Sequence, residues 1–587
     1  MDNWSTVDNR STHGNRLTPD SWSNLDNLST VDNKWTRGNR STLNNRSTLD
    51  NKWSLSSRAT GLTPGNRSFP GNRSTIGNRS TLNNRSTLCQ RSTPGNRSTP
   101  GNRLTLGNRS TLGLSEINHW ITCPDKSVCY DIYGELEEFS LEAPWSCRSN
   151  AKPAKHDTEF WLTSWPNQEH PLLLDLNNAT VLNKVPLNLD GKVYILVHGW
   201  NSDGEWPQLL KNELMKADRT SNVVVVRWSK AMYEQAVANI RVVARQLAFF
   251  INSLQEVRNI SSQSFHLICH SLGAHLCGIA GTYSQQRYNI TLARISGLDP
   301  AQWRHTTRDI LTRLDPSDAS FVDVIHTNVK RKAGIVKSLG MKDPIGHLDF
   351  YPNDGGTQPG CEGATPGICS HKRAHEIFIE SVKQDCQFLA IRCESYKKFL
   401  MGECWGCKPP HECSRMGFRT VPIDVPVNSK FFLLTTNSSP YCGYHYRTTI
   451  TVSSDSPAGD DYGSWYRLQS IELGIEIEKP IARHRRSTEP REFSKGSVHR
   501  YVGFSPYAGP VGAVSIHFVN MDHLAEFIGI PTPPLTISTI TVEMLGSETL
   551  TQFCLKESDH GNVNAYSVTA DKLCNEPSRA SIKKITK

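Results

Sequence analysis

Apolar and polar positions alternate along this chain in three different ways. Residues 1–113 repeat a hexapeptide, cleanest as Gly-Asn-Arg-Ser-Thr-Leu around 71–112, with one apolar position in six and almost nothing to bury. Such a tract cannot offset its ordering entropy, so it reads as disordered low-complexity sequence. A left-handed β-helix is the sharper alternative, opposed by Pro, Arg and His at the aliphatic position. From about 114 to 440 the texture changes. Apolar runs at Val193–Val197, Val223–Val226, Phe265–Ile268, Leu292–Ile295 and Phe321–Ile325 predict buried strands. Helical spacing runs through Ala231–Val257 and Leu272–Ala280. Strands alternating with helices predict a mostly parallel sheet covered on both faces, an α/β fold. Over 441–587 the pattern becomes strands alone, at Tyr446–Val452, Ser470–Ile477, Ala513–Val519 and Leu535–Met544, which predicts a separate β-sandwich.

Charge alters this picture only at one end. The 587 residues carry a formal net charge of +9, but residues 1–113 hold 16 Lys and Arg against 6 Asp and Glu. The other 474 residues hold 49 basic and 50 acidic side chains, so the folded body gives no sign of nucleic-acid binding. No run of 18 or more apolar residues occurs, so no membrane-spanning helix is expected. Fifteen of the 16 Cys follow residue 113, several as close pairs whose spacing fits neither a zinc ribbon nor a redox CxxC. That usage, with sequons at Asn178, Asn259, Asn289 and Asn437, predicts a secreted protein. Met1 is followed by Asp-Asn-Trp-Ser rather than a signal peptide, which predicts a true N-terminus other than Met1.

The chemistry is carried by Cys269-His270-Ser271-Leu272-Gly273, placed after the apolar run Phe265–Ile268 and at the start of a helical stretch. This is the strand–turn–helix setting of a nucleophile elbow, with Cys269 where glycine is usual. The turn lifts the Ser271 hydroxyl out of the sheet and aims the Leu272 N–H at a developing oxyanion. A second donor is expected from the loop after an earlier strand, and Val193–Val197 runs into His198-Gly199-Trp200, making the Trp200 N–H the candidate. Orienting acid and general base should follow in chain order. Asp299 ends the next strand in Gly297-Leu298-Asp299-Pro300, and His371 lies in a loop beside Cys369. The rival histidines His270, His275, His326, His347 and His375 are expected to be structural.

Together with Gly297–Ala301, Arg313–Thr327 and Gly346–Phe350, these motifs recur in order over roughly 125–575 and resemble the pancreatic lipase family. The resemblance implies an α/β-hydrolase domain followed by a PLAT β-sandwich, a triad of Ser271, Asp299 and His371, and an oxyanion hole of Trp200 and Leu272. It also implies a structural Ca2+ held by the carboxylates of Asp315 and Asp318 and the carbonyls of Ile310 and Arg313; the residues alone equally fit an Asp-Pro-Ser-Asp turn without metal. Cys361 and Cys369 match the pair that brackets the family's lid, here with only Glu362–Ile368 between them, as in the short-lid phospholipases A1. Disulfides are expected at Cys361–Cys369, Cys393–Cys404, Cys407–Cys413 and Cys554–Cys574, with Cys269 and Cys277 reduced. Arg483-His484-Arg485-Arg486 reads as a solvated loop, with a convertase site or heparin contact as alternatives.

The expected function is hydrolysis of lipid esters at membrane or lipoprotein surfaces, phospholipase A1-like, with triacylglycerol lipase as runner-up. A non-catalytic lipid-binding or yolk-type protein is the reading from another class, and an adhesive protein using the repeats is a third.

Overall fold

The computed structural model describes residues 127–140, most of 153–454, most of 468–520, most of 537–554, 567–570 and 581–582. The hexapeptide tract, the Asn178 sequon and Cys574 lie outside the described residues, and so does the pairing expected for Cys554.

A hairpin of β1 (Ser127–Ile132) and β2 (Glu135–Ser140) precedes the main sheet. That sheet has eleven strands. From one edge they run β12 (Cys413–Arg415), β11 (Leu389–Arg392), β13 (Ser429–Leu433), β10 (Leu348–Pro352), β9 (Phe321–Ile325) and β8 (Arg294–Leu298). They continue as β7 (Phe265–His270), β5 (Val193–Val197), β6 (Asn222–Arg227), β3 (Glu159–Ser164) and β4 (Leu172–Leu173). The run from β13 to β6 is parallel throughout, and antiparallel strands close both edges.

The side-chain period of two divides the interior into two layers. On one face Val193, Ile195 and Val197 of β5, with Phe265, Leu267 and Cys269 of β7, pack into one cluster with residues of three helices. These are α1 (Ala179–Lys184), α3 (Tyr233–Arg258) and α4 (Leu272–Tyr288). On the other face Tyr194, Leu196 and Ile268 meet α2 (Glu205–Ala217) and α5 (Pro366–Val382). Strands covered on both sides explain their continuous apolar runs. The short α6 (Tyr396–Leu400) follows β11.

After Leu433 the chain leaves this sheet. Strands β14 (Tyr444–Val452), β18 (Val498–Ser505), β20 (Ile537–Met544) and β21 (Leu550–Cys554) form one antiparallel sheet. A second sheet holds β15 (Leu468–Ile477), β16 (Ala482–Ser487), β17 (Arg491–Glu492), β19 (Val511–Asn520), β22 (Ser567–Ala570) and β23 (Ser581–Ile582). Tyr446, Ile450 and Ile540 of the first meet Leu473, Ile475, Val514 and Ile516 of the second in one core, which makes this region a sandwich. A further cluster joins it to the hydrolase part: Phe399, Phe432 and Leu434 on one side, Val502, Phe504 and Leu545 on the other.

The cysteines require a correction. Disulfides form at Cys361–Cys369, Cys393–Cys404 and Cys407–Cys413, but Cys269 and Cys277 are also bonded, not reduced. The alternation of β7 turns Cys269 onto the face that α4 covers, and the two Cα atoms stand 6.5 Å apart. Cys129 and Cys442 are disulfide-bonded as well, and no cysteine is free among the described residues. The segment 483–486 lies within the strand β16, not in a loop, because it pairs antiparallel with β15.

Candidate active site

The parallel strands bring the chemistry to their carboxyl ends, where successive β–α loops converge. Ser271 immediately follows β7 and caps α4 with φ 57° and ψ −124°. This is a backbone conformation that a non-glycine residue holds only under constraint. Its N–H donates to the Leu298 carbonyl at 2.9 Å, and its own carbonyl accepts from Ala274 N at 3.1 Å. Two glycines allow the turn to seat. A Cβ at Gly199 would lie 2.7 Å from Ser271 Cβ and 3.2 Å from its Oγ, and one at Gly273 would lie 2.4 Å from the His198 carbonyl. The loop His198–Trp200 and the turn at Ser271 are therefore in backbone contact.

His198 fixes the direction of that loop. Its Nε2 accepts the Trp228 N–H at 3.3 Å, so in the neutral ring Nδ1 carries the proton and donates to the Gly199 carbonyl at 2.7 Å. Trp228 returns its indole N–H to the His198 carbonyl at 2.9 Å. In a trans peptide C=O and N–H point in opposite directions. Holding the Gly199 oxygen therefore turns the Trp200 N–H the other way. The Trp200 side chain is anchored apart from this, by its indole N–H on the Ala231 carbonyl at 2.8 Å and edge-on packing against Tyr233. Leu272, the other expected donor, is the first residue of α4 and fully buried.

Asp299 follows β8 with φ 44° and is 0% exposed. Its Oδ2 accepts the Nδ1–H of His371 at 2.5 Å. Its Oδ1 accepts the backbone N–H groups of Thr327 at 2.8 Å and Asn328 at 3.1 Å. A Cβ at Gly340 would fall 2.3 Å from that carboxylate, so the 340 backbone can close over it only as glycine. The donor segment is held in turn by His326, whose Nδ1 donates to the Met341 carbonyl and whose Nε2 pairs with Asp349 Oδ1, each at 2.8 Å.

His371 lies in α5, not in a loop as expected, because the helix starts at Pro366 and carries Cys369 on its first turns. His371 is 9% exposed, and its carbonyl accepts the Nε2–H of His270 at 3.2 Å. The two rings stand 4.6 Å apart, which brings His371 beside the residue that precedes Ser271. Burial above all, with the neighbouring histidines, pushes His270 well below the usual range, so it stays neutral. Burial pushes His375, stacked on Trp206, down to about 3. The other rivals serve the backbone: His275 bonds Ala301 O and Leu314 N, and His347 accepts from Val322 N.

Asp315 and Asp318 are tied together in one loop as a capping box. Asp315 N donates to Asp318 Oδ2 at 2.7 Å, Thr282 donates to Asp318 Oδ1 at 2.5 Å, and Asp315 Oδ1 accepts from Ser317. Burial first of all pushes the Asp318 carboxyl well above its usual range. Arg313 reaches Asp315 Oδ2 with its side chain at 3.3 Å, and Ile310 opens a short 3-10 turn just before it. Among the described residues no group of three or more His, Cys, Asp or Glu could hold a metal, so an ion here would need backbone carbonyls too.

Cys361, buried, and Cys369 are bonded to each other, and α5 begins between them at Pro366; Glu362, Gly363 and Thr365 are exposed. No helix among the described residues is long and apolar enough to cross a membrane.

A family model described as Lipase matches residues 123–441. Pancreatic lipase-related protein 2 of Homo sapiens is 31% identical over 480 residues, 75% of this chain and 96% of its own. Pancreatic lipase-related protein 2 of Cavia porcellus is 35% identical over 348 residues, 56% of this chain and 77% of its own. Pancreatic triacylglycerol lipase of Myocastor coypus is 32% identical over 385 residues, 60% and 81%.

Proposed function

Because this chain belongs to the lipase family of carboxylic ester hydrolases, we propose that it is a secreted enzyme that cleaves the sn-1 ester of polar-headed lipids through an acyl-enzyme on Ser271. The carrying observation is the buried Asp299–His371 pair set against the strained Ser271 turn. Ser271 Oγ attacks the ester carbonyl while His371 Nε2 takes its proton. Asp299 keeps the proton on His371 Nδ1 and stabilises the imidazolium. The N–H groups of Trp200 and Leu272 receive the oxyanion. Collapse of the tetrahedral intermediate expels the alcohol, a lysolipid, which leaves with the proton from His371. Water then enters, gives a proton to His371 and attacks the acyl carbonyl; the Ser271 Oγ–acyl bond breaks, the fatty acid leaves and His371 returns the proton to Oγ.

The preference for polar heads follows from the seven-residue span Glu362–Ile368, whose last residues already belong to α5. It is too short to form an amphipathic lid over an apolar cleft, so no large closure step separates water from the site. Triacylglycerol hydrolysis is the second reading, favoured by the Myocastor coypus relative's name. Rates on phosphatidylcholine vesicles and on emulsified triolein separate them. Faster phosphatidylcholine hydrolysis without an interfacial jump is expected; a triolein preference with such a jump overturns the phospholipase reading and leaves the hydrolase reading standing. The disulfides support an extracellular setting.

The loop Ile310–Asp318 is proposed to bind calcium. Its donors are hard oxygens, and a divalent ion would relieve the charge that burial penalises on Asp318. Its contribution would be structural, because a Cβ at Gly278 or Gly281 of α4 would collide with Asp318.

A further inference from the structure

We propose that the Cys269–Cys277 disulfide is a positioning device for catalysis, a covalent ring that holds the nucleophile and one oxyanion donor in their reactive geometry. The inference rests on the reading of Ser271 as nucleophile.

The bond joins the next-to-last residue of β7 to the sixth residue of α4, and between them the chain carries Ser271, Leu272 and Gly273. Strand, turn and first helical turns are thus enclosed in one ring. Both cysteines are 0% exposed and sit in the cluster on the α3–α4 face. The alternation along β7 turns the next residue, His270, to the opposite face, where it bonds the His371 carbonyl. The turn is consequently fixed from both sides: by a covalent bond towards α4 and by a hydrogen bond towards the base.

Such fixing has a physical purpose. A non-glycine residue at φ 57° and ψ −124° keeps that conformation only where its surroundings over-determine it. Position 269 is also where elbows usually carry glycine, because a side chain there crowds the turn. Here the Cys269 side chain is drawn away from the turn and into α4 by Cys277, so the two cysteines act as one feature. Length argues the same way. A sequence separation of 8 closes a short loop, and short loops gain least from crosslinking the unfolded chain. The placement of the bond around Ser271, more than its span, is what the fold gains. Neither sulfur takes part in a bond-making step; the disulfide acts through Ser271 and Leu272.

The test is the full chain carrying C269G/C277A, with S271A made in parallel. Four quantities are measured: kcat and KM on a soluble short-chain ester, the rate of labelling by a fluorophosphonate, and Tm. The proposal expects kcat and labelling rate to fall together by roughly ten- to a hundredfold while KM moves by less than about twofold. The acid limb of the kcat/KM pH profile should stay in place, because the Asp299–His371 pair lies on the other side of the turn. A lowered Tm with kcat and labelling rate within about twofold of the native enzyme would show that the bond only stabilises, and overturns the proposal. If C269G/C277A does not fold, C269A/C277V refills the core and is judged by the same criteria; if neither folds, the bond serves folding and the proposal falls. Full ester hydrolysis by S271A is a separate result, which removes the Ser271 reading itself.

Discussion

The hydrogen bonds of His198 decide which way the Gly199–Trp200 peptide faces, and with it whether the Trp200 N–H can serve as the proposed second oxyanion donor. Replacing His198 by Phe keeps the stacking on Trp228 but frees the Gly199 carbonyl. His198→Phe is expected to lower kcat by about ten- to a hundredfold, with KM little changed, since the lost interaction belongs to the transition state. Steady-state kinetics on a soluble ester check it, and an unchanged kcat would exclude the role. The Asp299–His371 pair and the turn at Ser271 were legible as a candidate site because side-chain identity, motif and chain order mark them. The N–H groups of Thr327 and Asn328 were not, since any residue supplies an N–H. Gly340 was hidden for a related reason: its requirement comes from a carboxylate 41 positions away in sequence, at Asp299.

Among the elements, α5 carries most of what the sequence concealed. Its first turns hold Cys369, Ser370 and His371, polar or crosslinked residues that read as a loop, while its buried face (Ala374, Ile377, Phe378) starts only later. The strands β5 to β9 were legible because both of their faces are covered. Strand β10 was not, because Asp349 and Pro352 interrupt its apolar pattern. On α5 His375 is neutral and buried, with its affinity for protons pushed down to about 3. The unfolded chain, with histidine near 6.5, then binds one more proton between those values, so stability present above pH 6.5 is lost as pH falls towards 3. His375→Phe should flatten the fall of Tm between about pH 6 and pH 4, because one of several buried neutral histidines no longer contributes. An unaltered slope would contradict this. In the loop beside α4, chelation with EGTA should lower the Tm of the native protein by a few degrees or more, about 2–4 °C per kcal/mol. Asp315→Asn should abolish that response; a Tm indifferent to EGTA in both proteins would contradict calcium binding.

At the scale of the whole molecule, two cores meet across a third. The parallel sheet delivers Ser271 and Asp299 to the same edge, α5 brings His371 to them, and the sandwich packs on the other elements through Phe399, Phe432, Val502 and Phe504. The change from alternating strands and helices to strands alone was visible in the sequence, and in the structure the chain changes sheets between Leu433 and Tyr444. The packing between the two parts was not visible, since its residues are scattered through α6, β13, β18 and the end of β20, with no period of their own. The central claim is that one serine, held in this strained turn, performs acyl transfer. Treating the full chain and its S271A variant with a fluorophosphonate, then measuring intact mass and ester hydrolysis, tests it most directly. The account predicts one adduct on the native protein at Ser271, none on S271A, and a loss of activity in S271A of roughly a thousandfold or more. Stoichiometric labelling of S271A with activity retained would contradict it.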